Sequence, residues 1–544
     1  MFTMGISEEL ERPDDFHVRR REGEAAKTKL PARRLVRHRC RQREARSWRA
    51  ETKANRCDVV RERDREGKRL RTSIRSRSFS VVPETVGNSC PEDPSEEREK
   101  PGHGAVMGNM NKTPILESVS TKLERIAELA RKLTGKPILS LAHHIDPALL
   151  EHAYGLTRKD GVPGVDGVTA EEYERELDRN LHDLLERFKS GTYKAPPVRR
   201  AYIPKADGGQ RPLGIPTFED KVLQRAVTMV LEAVYEQDFL PASYGYRRGI
   251  GALDALRDLR QELMCIGGGW VLEADIRSFF DKMVHRHLRS FLDQQVVDGV
   301  IRRMIDKWLK AGVMEEGRIH FPEDGSPQGG VISPLLANIY LHEVLDVWFE
   351  TVVKPRLRGR ARLIRYADDF VICFEREDDA RRVVEVLPKR FAKYGLTLHP
   401  DKTRLFRYGK PDQGEGGDPP SFDFLGFTHY WGQSRSGRWV VKRKTIAKRL
   451  ARKAHEIWEW CRQNRHEPIE WQQQGLASRL SGYYNYFGIP CNYRALMQLF
   501  GRVRFGWHYW LSRRSQRAAM PWKDFERLTE RFPLPRPRIV HQWV

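Results

Sequence analysis

"RLIRYADDFVICF", residues 362–374, sets two aspartates side by side inside an apolar run. Leu363, Ile364, Val371, Ile372 and Phe374 suit a buried strand. Asp368 and Asp369 do not, because adjacent like charges in a core cost several kcal/mol unless something neutralises them. The stretch reads best as a hairpin with the acidic pair at its tip. Such a pair becomes stable when it holds divalent metal, since hard cations such as Mg2+ take oxygen ligands. Two ions about 3.5–4 Å apart can clamp an in-line phosphoryl displacement, which usually needs a further carboxylate from another strand. Asp275 in "VLEADIRSFFD" ends an apolar strand and is the best candidate. The strand–helix–strand order between the two segments allows their strands to be neighbours. Taken alone, "ADD" would more often be a solvated turn or one half of an ion pair with arginine, so the rest of the chain must decide.

The chain has 544 residues and a net charge of +23. That excess predicts a polyanionic partner and a salt-dependent affinity. Seven scattered cysteines without a C-x-x-C pair exclude a zinc framework or a disulfide scaffold and fit a reducing cytoplasm. The N-terminus lacks the apolar core of a secretory signal, and no run of about 18 apolar residues is present to span a membrane.

Residues 1–106 are rich in arginine, then acidic and proline-rich, with too few aliphatic side chains to offset chain entropy. They read either as a disordered RNA-binding arm or as a translated upstream stretch, with Met107 as the true start; the second is favoured. In the segment that follows, Leu123, Ile126, Leu129 and Leu133 form one helical stripe. From about 140 to 410, helices and strands alternate. "AEEYERELDRNLHDLLERFKSG" predicts one helix stopped by Gly191. "PVRRAYIPKADGGQRPLGIPT" predicts two strands around an Asp-Gly-Gly turn, and "KVLQRAVTMVLEAVYEQDF" a largely buried helix. "FDFLGFTHYW" reads as a short strand pair, and residues 440–515 as a basic, aromatic helical bundle. In its first helix Ile446, Leu450, Ala454, Ile457 and Cys461 share a face, with Lys448, Arg449, Arg452 and Lys453 falling mostly away from it.

"YADD" between apolar strands resembles the catalytic box of reverse transcriptases. "AYIPKADGGQRPLGIPTFEDKVLQRAV", "SYGYRRG", "DIRSFFD", "GSPQGGVISPLLANIYL", "GLTLHPDKT" and "FDFLGF" follow the order of blocks in the reverse transcriptases of bacterial group II introns. The resemblance covers roughly residues 140–515, and "LASRLSGYYNYFG" is similar to that family's maturase or thumb domain. It implies an α+β right-hand polymerase: fingers with an N-terminal helix at 107–265, a palm at 266–430 with antiparallel sheet, and an α-helical thumb or maturase domain at 431–544. Some relatives carry an H-N-H endonuclease, whose signature this sequence lacks; the expectation is that the chain does not nick target DNA itself.

By the same resemblance, Asp275, Asp368 and Asp369 are catalytic and hold two Mg2+ ions, with Mn2+ as the alternative and the Ile276 carbonyl as an added ligand. Three clustered carboxylates would take up protons without metal. Lys205 and Arg211 match the residues that bind the triphosphate, for which a guanidinium fork and a point charge are both suited. Phe280 matches the ring that crowds a ribose 2′-hydroxyl and so selects dNTPs. Gln328 and Gly329 match the block lining the templating pair, and Lys402 a lysine that protonates pyrophosphate. Arg449, Arg452, Tyr483, Tyr484 and Arg513 suit RNA through phosphate contact and base stacking. "SYGYRRGIGALDAL" departs from the family pattern at Ile250 and Leu253, which weakens template-contact roles there.

The implied function is RNA-directed DNA polymerisation, copying intron RNA into cDNA, with assistance to splicing and mobility of a group II intron. Implied partners are group II intron RNA, template RNA, DNA primer or target DNA and dNTPs, with no membrane; a homodimer is compatible. Implied localisation is the bacterial cytoplasm or nucleoid. Two alternatives stand: an RNA-binding splicing cofactor with a vestigial polymerase, and a domesticated reverse transcriptase in phage defence or a CRISPR system.

Overall fold

The computed structural model describes residues 112–542 apart from 134, 205–208, 316, 322–324, 326–328, 412–419 and 516–518, with side chains from 118 onward. The readings of residues 1–106, and the candidates Lys205 and Gln328, lie outside the described residues. Eleven strands are described: β1 (Val198–Pro204), β2 (Gln210–Ile215), β3 (Trp270–Ala274), β4 (Val313–Glu315), β5 (Arg318–His320), β6 (Ala361–Tyr366), β7 (Asp369–Phe374), β8 (Arg404–Arg407), β9 (Ser421–Phe424), β10 (Phe427–Gln433) and β11 (Trp439–Thr445). They form three sheets, ordered β2-β1-β4-β5, β6-β7-β3-β8 and β11-β10-β9.

The central sheet, β6-β7-β3-β8, is antiparallel throughout. Its side chains alternate between two cores. Leu272, Leu363, Phe370, Ile372 and Phe374 join a core shared with the N-terminal and middle helices. Val271, Ile364, Val371 and Cys373 join a second core with the C-terminal helices. A sheet covered on both faces needs apolar residues at successive positions. That is why the opening stretch is largely apolar without alternation, and why its acidic residues are confined to the tip.

The helix Phe218–Tyr235 buries thirteen of its eighteen residues and is capped by the Thr217 side chain, which accepts from the Asp220 amide. It packs between the N-terminal helices Lys112–Lys132 and Pro147–Leu156 and the later helix Ser333–Leu341. Behind the central sheet, Ser333–Leu341 runs on through two π-helical segments, His342–Asp346 and Phe349–Val353. The C-terminal bundle consists of Ala447–Gln463, Ile469–Phe487, Tyr493–Leu511 and Trp522–Arg531. Among the described residues no helix is long and apolar enough to cross a membrane.

Several expectations need correction. The single helix read over 170–190 is two, Ala170–Glu174 and Leu177–Ser190. Thr169 and Glu172 form a capping box on the first, and Glu176 (φ −124°) breaks the path between them. Gly191 does end the second, in the left-handed region. Leu129 is 36% exposed and falls off the stripe that buries Ile126. Strand β4, from the segment expected to be palm, pairs in parallel with β1 of the segment expected to be fingers, Val198 facing Val313. The third sheet runs from Ser421 to Thr445, so the segment after 431 begins as strand rather than helix.

Gly329 shows why one glycine of the "QGG" block is needed. Its φ is +115°, and a Cβ there would lie 2.5 Å from the Gly214 carbonyl oxygen and 2.8 Å from Leu213 Cδ1. Residue 329 is thereby pressed against β2, and this packing by itself requires glycine there. Gly329→Ala is expected to cost about 2 kcal/mol through backbone strain and overlap, read as a lowered urea midpoint; an unchanged midpoint would contradict this packing.

Candidate active site

Tyr366 pairs with Asp369 in the β6–β7 register, which leaves Ala367 and Asp368 as a two-residue turn. Ala367 has φ +56°. Two-residue hairpins favour such positive φ because it matches the twist of the strands. A small side chain suits the position: Gly245 packs so close that a Cβ on it would sit 2.4 Å from the Ala367 nitrogen.

Asp275 arrives from β3. Ala274 faces Phe370 across the β3–β7 ladder, so the next pair in register is Asp275 with Asp369. On its other edge the chain is tied to residues 397–399. The His399 amide donates to the Asp275 carbonyl, the Arg277 amide donates to Thr397, and Ile276 bridges Leu398. Carbonyls alternate along a strand. The Ile276 carbonyl is therefore turned to the β7 edge, the side of the acidic turn.

The three carboxylates act on one another. Burial, then the charges of Asp368 and Asp275, pushes the Asp369 carboxyl up to about 7. The Asp369 side chain keeps an exposed edge, and the charges of Asp368 and Asp275 act on it along the turn and across the β3–β7 register. Asp368 is also raised, by burial first and then by Asp275, against the opposing charges of Arg211 and Lys402. Lys402 Nζ donates to Asp275 Oδ2 at 2.6 Å. That hydrogen bond is the first cause of its raised pKa, and Asp369 and Asp368 add to it. Among the described residues, no three His, Cys, Asp or Glu side chains are drawn together tightly enough to form a closed metal cage. An open set of hard oxygen donors, two of them with raised pKa values, is nevertheless the donor chemistry that suits Mg2+.

The other predicted residues divide. Arg211 lies on β2 opposite Ile203, and its charge is felt at Asp368, which links the β1–β2 hairpin to the acidic turn. Phe280 is half-buried on a short helix that follows Ser278 (φ 48°), its ring 5.4 Å from that of buried Phe279. One of the two adjacent rings is core, and Phe280 is the one left facing outward in part. Arg452 and Arg513 are exposed, and the Arg513 guanidinium lies 3.5 Å from the centre of the Tyr509 ring. Arg449 is half-buried against Gly426.

Tyr483 and Tyr484 correct the sequence reading. They are 4% and 1% exposed, and Tyr483 stacks on Phe487 with ring centres 4.4 Å apart. They build the core of the bundle and offer no surface to a base. Lys453, expected to face away from the apolar stripe, is instead buried and ion-paired to Glu456 at 2.6 Å. Ile250 and Leu253 pack against the second core, a reason for apolar side chains at those two positions.

Sequence reasoning misses Arg365. It is fully buried beside the acidic turn and bound to Asp346, which is equally buried. An arginine three residues before the acidic pair, in a strand whose neighbours Leu363 and Ile364 are apolar, is the available signal.

The pattern described as "Reverse transcriptase (RNA-dependent DNA polymerase)" matches residues 203–429, the span that holds all of these turn and strand residues. The chain is also 34% identical over 326 residues to Protein YkfC of Escherichia coli (strain K12), across 53% of this chain and 81% of that protein. The chain belongs to the reverse transcriptase family. Its enzymatic class is RNA-directed DNA polymerase, and reverse transcriptases use divalent metal ions. This reverse transcriptase is further similar to the Group II intron-encoded protein LtrA of Lactococcus lactis subsp. cremoris, 41% identical over 168 residues, 31% of this chain and 28% of LtrA. It resembles Nuclear intron maturase 4, mitochondrial, of Arabidopsis thaliana at 25% identity over 218 residues, 40% of this chain and 25% of that protein.

The raised Asp369 pKa has a measurable consequence. Between its ordinary 3.8 and about 7, the folded chain keeps a proton that the unfolded chain has released. Stability therefore falls as pH rises through that window. Chelator-treated protein is expected to melt at lower temperature near pH 7 than near pH 5, and Asp369→Asn to flatten the slope. A melting temperature that climbs across this range in the parent but not the variant would contradict the assignment.

Proposed function

We propose that the chain copies intron RNA into cDNA and assists the splicing and mobility of a group II intron. The observation that carries the first half is the pairing of β3 with β7, which sets Asp275 across from Asp369 beside the Asp368 turn. Asp275, Asp368, Asp369 and the Ile276 carbonyl would hold two Mg2+ ions, with Mn2+ as a substitute. Bound there, the ions would lower the pKa of the primer 3′-hydroxyl and neutralise the triphosphate.

The chain's own residues supply the rest. Arg211 would grip the triphosphate with Lys205, its planar fork matching phosphate oxygens. Lys402 starts out bound to Asp275 and protonated. On nucleotide entry it would exchange that partner for the departing pyrophosphate and supply a proton. Phe280 would close the pocket to a 2′-hydroxyl. The C-terminal bundle would carry the template–primer and intron RNA, with Arg452, Arg513 and half-buried Arg449 on phosphates and the Arg513–Tyr509 pair as a stacking platform. The net charge of +23 supports this use.

Primer extension on an RNA template with Mg2+ tests the reading. The parent chain should make cDNA, and Asp368→Ala should lower the rate by at least about 1,000-fold, the scale of lost transition-state charge stabilisation. A parent that binds intron RNA tightly yet makes no cDNA would favour the splicing-only alternative. Phe280→Ala should raise ribonucleotide incorporation while leaving dNTP use largely intact; unchanged sugar selectivity would remove Phe280 from the pocket wall.

A further inference from the structure

The acidic turn has a brace behind it that the polymerase reading does not use. Arg365 sits on β6 two residues before Ala367, and both it and Asp346 have fully buried side chains. Every N–H of its guanidinium is occupied. Nε donates to Asp346 Oδ1 at 2.8 Å and Nη2 to Asp346 Oδ2 at 2.5 Å. Nη2 also donates to Ser243 Oγ at 2.7 Å. Nη1 donates to Asn338 Oδ1 at 3.0 Å and to the Ala367 carbonyl at 3.1 Å. That uses all five donors a guanidinium owns.

The partners are themselves tied together. Asn338 Nδ2 donates to the Gly245 carbonyl at 2.7 Å, and Gly245 is the residue pressed against the Ala367 nitrogen. The Arg365 backbone is held on the same side: its amide donates to Ala242 and its carbonyl accepts from the Tyr244 amide. Segment 242–245 thus lies against the turn, locked by both the backbone and the side chain of Arg365. Asp346 closes the π-helical segment His342–Asp346. Such one-turn widenings are uncommon and concentrate at functional sites.

A buried ion pair is a weak stabiliser, because apolar side chains of similar volume usually do as well or better. What an apolar pair could not do is hold the Ala367 carbonyl. That carbonyl belongs to the Ala367–Asp368 peptide, whose orientation sets the direction in which the Asp368 side chain leaves the backbone. We propose that Arg365 is a positioning residue for nucleotidyl transfer: anchored by Asp346 and steadied by Ser243 and Asn338, it fixes the Ala367–Asp368 peptide and so aims Asp368. The proposal rests on the polymerase reading above. Lysine cannot substitute, having three donors on a flexible stem and no planar fork.

The test is the double variant Arg365→Met/Asp346→Leu, which replaces the pair with apolar volume and should keep its melting temperature. Its kcat for dNTP incorporation is expected to fall by about 10- to 100-fold, the range for loss of a group that orients a site residue. The KM for dNTP should hold, because Arg211 is untouched. Amide exchange in a peptide spanning 366–370 should quicken while the rest of β6 and β7 stays protected. Arg365→Lys should not restore kcat. A folded double variant with parental kcat and parental turn exchange would overturn the proposal. Should the double variant not fold, Arg365→Lys keeps a charge beside Asp346 and removes the fork that reaches the Ala367 carbonyl; the same two readouts then decide, and parental values again overturn it. A parent chain that makes no cDNA would sink the polymerase reading instead, and turn exchange alone would then judge the brace.

Discussion

Three carboxylates brought to one place repel, and nearly everything else in this structure serves to hold them there. The antiparallel ladder between β3 and β7 does the holding. On the β7 edge, register places Asp275 opposite Asp369, and the two-residue turn sets Asp368 beside them. The cost of the arrangement shows in the raised pKa values of Asp368 and Asp369. Lys402 relieves part of it by pairing with Asp275. A ladder can bear such a load only if it is rigid, and this one is clamped between two cores that claim alternate side chains of the same strands.

The cores also explain how the other two regions reach the turn. The first continues through the helix Phe218–Tyr235 toward β1 and β2, and Gly329 packs onto β2 where it meets Gly214. That contact helps carry Arg211 to within electrostatic reach of Asp368. The second core continues into the C-terminal helices through Phe422, Phe427, Trp431 and Trp507. The surface that would grip a nucleic acid duplex is therefore built on the same sheet that bears the chemistry.

Much of this is legible in the residues themselves. The hairpin, its acidic tip, the strand ending at Asp275, the β1–β2 and β9–β10 pairs and the buried Phe218–Tyr235 helix all follow from local period and turn chemistry. Where local pattern misleads, the reason is nonlocal. Tyr483, Tyr484 and Lys453 lie on helices whose buried faces are wider than their aliphatic stripes, because neighbouring helices cover more of them. Gly329 needs to be glycine because of β2, more than a hundred residues away in sequence. The break at Glu176 is a detail of backbone path that helix-forming residues on both sides conceal. Arg365 carries a signal, a charge beside apolar Leu363 and Ile364, but its hydrogen bonds reach Ser243, Asn338 and Asp346 as well as the turn, and no short window holds all four.

Sequence alone determined the chemistry: which residues are acidic, which basic, which strand ends in a charge, and that the net charge favours a polyanionic partner. Those properties are local, set by side-chain type and by a period of two or 3.6 residues. Tertiary structure decided who faces whom. The cross-strand placement of Asp275 and Asp369, the Lys402 ion pair, the burial of the two tyrosines and the arginine behind the turn all depend on register and packing between distant segments. No local pattern encodes those, because each is fixed only when two cores close on the two faces of one sheet.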